Sequence, residues 1–114
     1  MKVVRAVPTE SLSEQLSVQR LSAPLDLHQM RANVFTLAEG SMSRHMHREQ
    51  EEVYLVLDGT AMFDVDGHQL KVGEREALAV PAGAWHRVAN AGTGPLTFFV
   101  AAAPPVEGDA ELER

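Results

Sequence analysis

Two histidines one residue apart, His45 and His47, stand just ahead of a cluster of carboxylates, Glu49, Glu51 and Glu52. On an extended strand, residues i and i+2 point to the same side. Neutral imidazoles that converge on one point, with a carboxylate nearby, suit a borderline divalent metal. A second stretch, Pro81-Ala82-Gly83-Ala84-Trp85-His86-Arg87-Val88-Ala89-Asn90, brings in another histidine. There a Pro-x-Gly turn places His86 at the start of a strand. Three histidines and one carboxylate leave one or two positions open on a metal that takes five or six ligands, and substrate, water or dioxygen can bind there. An isolated His-x-His is ordinarily no more than a polar strand face; the carboxylate and the Pro-x-Gly-x-x-His segment give the metal reading its weight.

The elements that must position these residues are strands. Gln15–Arg20 alternates weakly, and Pro24 argues against a helix there. Arg31–Leu37, rich in Val, Phe and Thr, reads as a strand, followed by a turn through Gly40. Arg44–Arg48 carries the histidine pair. Glu52–Leu57 is apolar on both faces, with Tyr54 and Val56 on one side and Val53, Leu55 and Leu57 on the other, as for a strand between two layers or in a subunit interface. Thr60–Val65 and His68–Val72 flank Asp66-Gly67, a type I′ hairpin signal. Ala77–Val80, His86–Asn90 and Leu96–Ala103 follow as further strands, and Pro104-Pro105 ends the last. The pattern predicts an all-β antiparallel sandwich or small barrel of about 8–10 short strands.

The chain has 114 residues, no cysteine and a formal charge of −6. One domain with an unstapled core is expected. Thiolate metal sites, disulfides and cysteine nucleophiles are excluded, and the absence of cysteine fits a reducing, cytoplasmic location. Without a basic face, a nucleic-acid partner is disfavoured. No apolar run reaches the roughly 18 residues of a membrane span, and the N-terminus does not read as a signal peptide. Residues 1–15 read as an N-terminal segment able to exchange a strand with a dimer partner. Residues 16–103 read as the barrel domain, and residues 104–114 as an acidic tail without structure.

The spacing Gly40-x4-His45-x-His47-x4-Glu52-x6-Gly59 resembles the first motif of the cupin superfamily, and Pro81-x-Gly83-x2-His86-x3-Asn90 resembles its second. The resemblance implies a double-stranded β-helix, or jelly roll, with His45, His47, Glu52 and His86 as ligands of one divalent transition metal: iron, manganese, nickel, zinc or copper. Glu51 also lies within the allowed spacing, and the distance to Gly59 favours Glu52 over it. Two departures stand out. Four residues rather than five separate Gly40 from His45. Arg75 occupies the position of a glycine six residues before Pro81, where Gly73 is expected to take over the turn.

The function expected from the resemblance is that of a small metal-dependent enzyme acting on a metabolite held inside the barrel, dioxygenase-like first and isomerase- or lyase-like second. A non-enzymatic small-molecule binding or sensing barrel is the alternative. Tyr54 is a candidate hydrogen-bond donor to a metal-bound ligand. Trp85, adjacent to His86, should face away from the metal. His28 and His68 lie outside both motifs and are given no role. The run Arg48–Glu51 reads as a solvated strand end. The two-faced apolar strands predict a homodimer.

Overall fold

A computed structural model describes residues 2–113. It contains eleven strands and no helix among them: β1 (Glu10–Ser11), β2 (Leu16–Arg20), β3 (Arg31–Leu37), β4 (His45–His47), β5 (Glu51–Asp58), β6 (Ala61–Val65), β7 (His68–Val72), β8 (Ala77–Val80), β9 (His86–Asn90), β10 (Leu96–Ala103) and β11 (Ala110–Leu112). They form two antiparallel sheets, one in the order β1-β2-β3-β10-β5-β8 and the other in the order β11-β4-β9-β6-β7. This is the jelly-roll arrangement expected from the sequence. Strand bounds match the patterning residue for residue at β3, β7, β8, β9 and β10.

Alternation decides what each strand buries. On β5, Glu52, Tyr54 and Val56 are buried while Glu51, Val53 and Leu57 are exposed. On β6 the inward residues are Ala61 and Phe63, and β10 contributes Phe98 and Val100 from the opposite sheet. These side chains make one core between the sheets. The Tyr54 ring meets Phe63 edge-on with centroids 5.0 Å apart and lies 5.8 Å from Phe98, so the site residue Tyr54 is anchored in packed aromatic surface. A smaller cluster covers the outer face of the six-stranded sheet, where Leu21, Ala32 and Val34 pack with Leu25, Leu27 and Phe99. Both faces of β3 are therefore covered, and Arg31, Asn33 and Phe35 point into the barrel.

The acidic tail departs from expectation. Residues 104–113 carry β11, which pairs with β4 through Ala110↔His47, Glu111↔Met46 and Leu112↔His45. The tail is held by polar contacts rather than by apolar burial. Glu111 pairs with Arg48 and Glu113 with Arg44, and the buried Asp109 carboxylate accepts the backbone N–H groups of Glu49 and Gln50. At the other end of the chain, β1 pairs with β2 of its own chain. No helix among the described residues is long and apolar enough to cross a membrane.

Turn chemistry fixes the connections. Asp66 and Gly67 both have positive φ, at 49° and 85°, as a type I′ hairpin requires. Arg75 adopts the left-handed conformation itself, with φ at 65°, while Gly73 does not; the expected transfer of the turn to Gly73 does not occur. The Arg75 N–H donates to Val56 O at 2.9 Å, which holds the strained residue in place. Gly59 has φ at 89°, and a Cβ there would lie 2.7 Å from the backbone oxygen of Pro95.

These two turns predict opposite effects in urea denaturation. Arg75→Gly relieves a left-handed non-glycine residue and should stabilise the fold by about 1 kcal/mol. Gly59→Ala should destabilise it by about 1–3 kcal/mol, because both the φ angle and the contact with Pro95 resist a side chain. Equal stabilities of the two variants would contradict this account of the turns.

Candidate metal centre

The site is built where β4, β5 and β9 come together. His45 and His86 are direct partners across β4 and β9, and their rings lie 4.2 Å apart. The turn before β9 is clipped to β4: the Gly83 N–H donates to His47 O at 2.7 Å, with Gly83 at positive φ. Asn90, which closes the second motif, has a structural task. Its amide nitrogen reaches the carbonyls of Leu37, Ala38 and Gly94, and its Oδ1 accepts the Gly92 N–H. Asn90 thereby ties the end of β3 and the turn after it to the loop before β10.

Glu52 is the buried carboxylate, and the neighbouring Glu51 is exposed, as the parity of β5 requires. One donor atom each of His45, His47 and Glu52 lies within 4.8 Å of the others. His86, with 1% of its surface exposed, joins through Nε2, which is 2.9 Å from Glu52 Oε1. His47 Nε2 lies 3.5 Å from Glu52 Oε2. Tyr54 donates its hydroxyl to Glu52 Oε1 at 3.0 Å and lies 3.1 Å from His86 Nε2. The structure thus brings together all four residues singled out as ligands, with Tyr54 beside them.

The hydrogen bonds of the far ring nitrogens decide what this cluster can hold. His86 Nδ1 is 2.9 Å from Ala84 O, and His45 Nδ1 is 3.1 Å from Ser43 O. A carbonyl only accepts, so both Nδ1 atoms carry the hydrogen. In the neutral rings both Nε2 atoms then carry lone pairs, and that of His86 faces Glu52 Oε1. The Tyr54 hydroxyl supplies a single proton to this buried group of acceptors. A cation must balance the rest, either an extra proton on an imidazole or a metal ion, and the donor set of imidazole nitrogens and carboxylate oxygen suits a divalent transition metal. The residues present fit such an ion.

Burial lowers the affinity of His45 for a proton below the ordinary histidine range, with the His86 charge adding to the effect and the Ser43 carbonyl opposing it. Burial alone would raise Glu52, but where the balancing charge is a proton on His86 Nε2, its hydrogen bond to the carboxylate and the neighbouring imidazoles outweigh it and hold the carboxyl below its usual range. Burial and the Glu52 charge push the Tyr54 hydroxyl well above its ordinary range, so it remains a proton donor.

A cavity of about 190 Å³ opens onto this cluster and includes Arg31, Asn33, Phe35, Gln50 and Tyr54 in its wall. Arg31, Asn33 and Gln50 carried no site role in the sequence. Gln50 belongs to the run expected to be solvated, yet it is buried: its N–H goes to Asp109 and its amide donates to Val106 O. The period of RANVFTL could have placed Arg31 and Asn33 on the face of Phe35, although not that this face points inward. Trp85 lies half-buried at the turn, with the Arg44 guanidinium 5.3 Å over its ring, away from the carboxylate cluster. His28 and His68 are both exposed, consistent with having no site role.

A closed two-sheet β-helix with histidines and a carboxylate facing an internal cavity defines a class of barrel built around an internal ligand site. The family model for the Cupin domain matches residues 22–102, and the chain belongs to that family. Mannose-1-phosphate guanylyltransferase of Escherichia coli strain K12 is 35% identical over 74 residues, which are 65% of this chain and 15% of the transferase. An uncharacterised protein of Methanocaldococcus jannaschii is 28% identical over 61 residues, 54% of this chain and 49% of that protein. The chain therefore spans less than half the length of these relatives. Among solved structures, a sugar phosphate isomerase of a cupin superfamily from Silicibacter pomeroyi superposes with a TM-score of 0.73 at 29% identity, covering 79% of this chain and 60% of that one. A predicted oxalate decarboxylase from Thermotoga maritima superposes at 0.78 with 20% identity, over 90% of this chain and 99% of that one, a likeness of fold.

The centre predicts that metal binding and stability fall together. In Glu52→Gln, bound metal after dialysis should fall at least about tenfold. The metal-free variant should melt below the parent at neutral pH, because a carboxyl held below its usual range stabilises the fold when ionised. Glu51→Gln should change neither quantity. Equal metal content in the two variants would place the carboxylate ligand elsewhere.

Proposed function

We propose that this chain is a metal-dependent enzyme acting on a small, oxygen-rich, anionic metabolite inside the barrel. The observation that carries the proposal is the buried acceptor cluster of His45, His47, Glu52 and His86 opening onto the cavity. These four residues would hold the ion, each imidazole through Nε2. When bound, the ion supplies Lewis-acid polarisation of substrate oxygens. The side chains around it do the remaining work. The Ser43 and Ala84 carbonyls hold His45 and His86 as the tautomer that offers Nε2. Tyr54 keeps its proton on the Glu52 side of the centre, and Phe35, Met42 and Val100 exclude water from the cavity wall.

Arg31 supports an anionic substrate. Among the described residues its guanidinium has no ion-pair or hydrogen-bond partner, and it lines the same cavity as the ligands. A guanidinium fork suits a carboxylate or a phosphate. The cavity is below the roughly 300–1,000 Å³ of drug-sized sites, which fits a metabolite of few carbons. Isomerase- or lyase-type proton shifts are favoured over a dioxygenase reaction by the likeness to the sugar phosphate isomerase of Silicibacter pomeroyi.

A second reading, a binding barrel without turnover, has one observation in its favour: apart from the four ligand residues, the titratable groups in the cavity wall are Arg31 and Tyr54, and neither is poised to take up a proton. In either reading a two-fold pairing of chains would cover Val53 and Leu57, which are 42% and 46% exposed on the outer face of β5.

A panel of sugar phosphates and small hydroxy acids separates the readings. Turnover that disappears on chelation, returns with one metal and consumes no oxygen is the expected result. Oxygen uptake would move the assignment to dioxygenase chemistry, and ligand-dependent thermal stabilisation without turnover to the binding barrel. Arg31→Ala should weaken the anionic ligand about tenfold or more while leaving metal content unchanged. Unchanged affinity would remove Arg31 from the substrate site.

A further inference from the structure

One polar atom of the centre lacks a partner. His47 Nδ1 is buried and makes no hydrogen bond, in contrast to the Nδ1 atoms of His45 and His86. The nearby acceptor is Asp109 Oδ2, 3.9 Å away, which comes from the segment leading into β11. Asp109 is itself 5% exposed and is fixed by three contacts: its carboxylate accepts the Glu49 N–H at 3.0 and 3.1 Å and the Gln50 N–H at 2.9 Å. The strand that carries His45 and His47 depends on this same segment. β4 proper meets β9 at one register pair, His45↔His86, but meets β11 at three. A distance of 3.9 Å is longer than a hydrogen bond, and the broad torsion of an imidazole ring allows a small rotation to close it.

We propose that Asp109 is a positioning residue of the metal centre, its carboxylate holding His47 with the hydrogen on Nδ1 and the Nε2 lone pair toward Glu52, so that the segment 104–113 completes the site. The chemistry is that of a carboxylate behind a metal-ligating imidazole, which fixes the tautomer and raises the basicity of the ligand. This inference rests on the metal-dependent function proposed above.

Asp109→Asn is the informative variant. Its amide oxygen at the Oδ2 position can still accept from Glu49 and Gln50, so β11 should stay docked. That oxygen is also the atom facing His47 Nδ1, so the variant keeps an acceptor there but removes the charge that fixes the tautomer. Nitrogen NMR of the metal-free protein at about pH 8, above the ordinary histidine range, reads that tautomer directly. The wild type should carry the His47 hydrogen on Nδ1, and the variant, with a neutral acceptor there, should shift part of it to Nε2. Zinc affinity, measured by chelator competition, should fall about 10–100-fold while the melting temperature stays near that of the wild type. Asp109→Glu, which restores a carboxylate, should recover part of the affinity. A wild-type His47 protonated on Nε2, or an Asn variant with unchanged tautomer and zinc affinity, would overturn the proposal. A wild type that takes up no metal yet shows the tautomer shift would support the positioning role and count instead against the metal-dependent function.

Discussion

Everything at the centre of this barrel depends on a buried carboxylate whose settled donor is the Tyr54 hydroxyl and whose imidazole neighbours face it with Nε2. The Glu52 oxygens lie 2.9 Å from His86 Nε2 and 3.5 Å from His47 Nε2, while the His86 hydrogen is already committed to the Ala84 carbonyl. A buried set of acceptors in a medium of low dielectric needs a positive charge. Among the described residues no lysine or arginine pairs with Glu52, and the guanidinium in the cavity wall, Arg31, has no ion-pair partner among them. The charge has to come as a proton or as an ion, which makes the site a place for binding rather than a finished piece of core.

The two-sheet architecture imposes that situation by parity. β5 has its register fixed by β10 on one side and β8 on the other, so Glu52, Tyr54 and Val56 must share the inward face. Phe63 and Phe98 then pack around the Tyr54 ring and hold its hydroxyl against the carboxylate. The apolar core and the polar centre are successive positions along one strand, and a shift of β5 by one residue would exchange Glu52 for Glu51 and expose the aromatic anchor.

Much of this is legible in the residues alone. Alternation and turn signals mark nearly all the strands, because period-two burial and Asp-Gly or Pro-x-Gly turns are local properties. The choice of Glu52 over Glu51 follows from counting to Gly59, and burial agrees with it. The rest was hidden for identifiable reasons. β11 is an acidic strand held by Arg44, Arg48 and backbone N–H groups from some sixty positions earlier, so hydropathy carries no trace of it. Gln50 looks solvated until Asp109 and the Val106 carbonyl are brought to it. Arg31 sits in a strand covered on both faces, where alternation cannot say which face is the interior. Arg75 takes a conformation that a glycine would be expected to supply, because its N–H is captured by Val56.

The pairing of β4 bears on the order in which such a protein assembles. β4 has no partner nearby in sequence: the strand it meets on one edge begins at His86 and the strand on its other edge at Ala110. Closing loops of that length is entropically slow, whereas the hairpin of β6 and β7 can form on its own. A chain emerging from the ribosome therefore displays its histidine pair long before it can gather the other groups around it. An ion loaded at this centre would come at the end of folding and would act as a latch on the completed topology rather than as a seed for it.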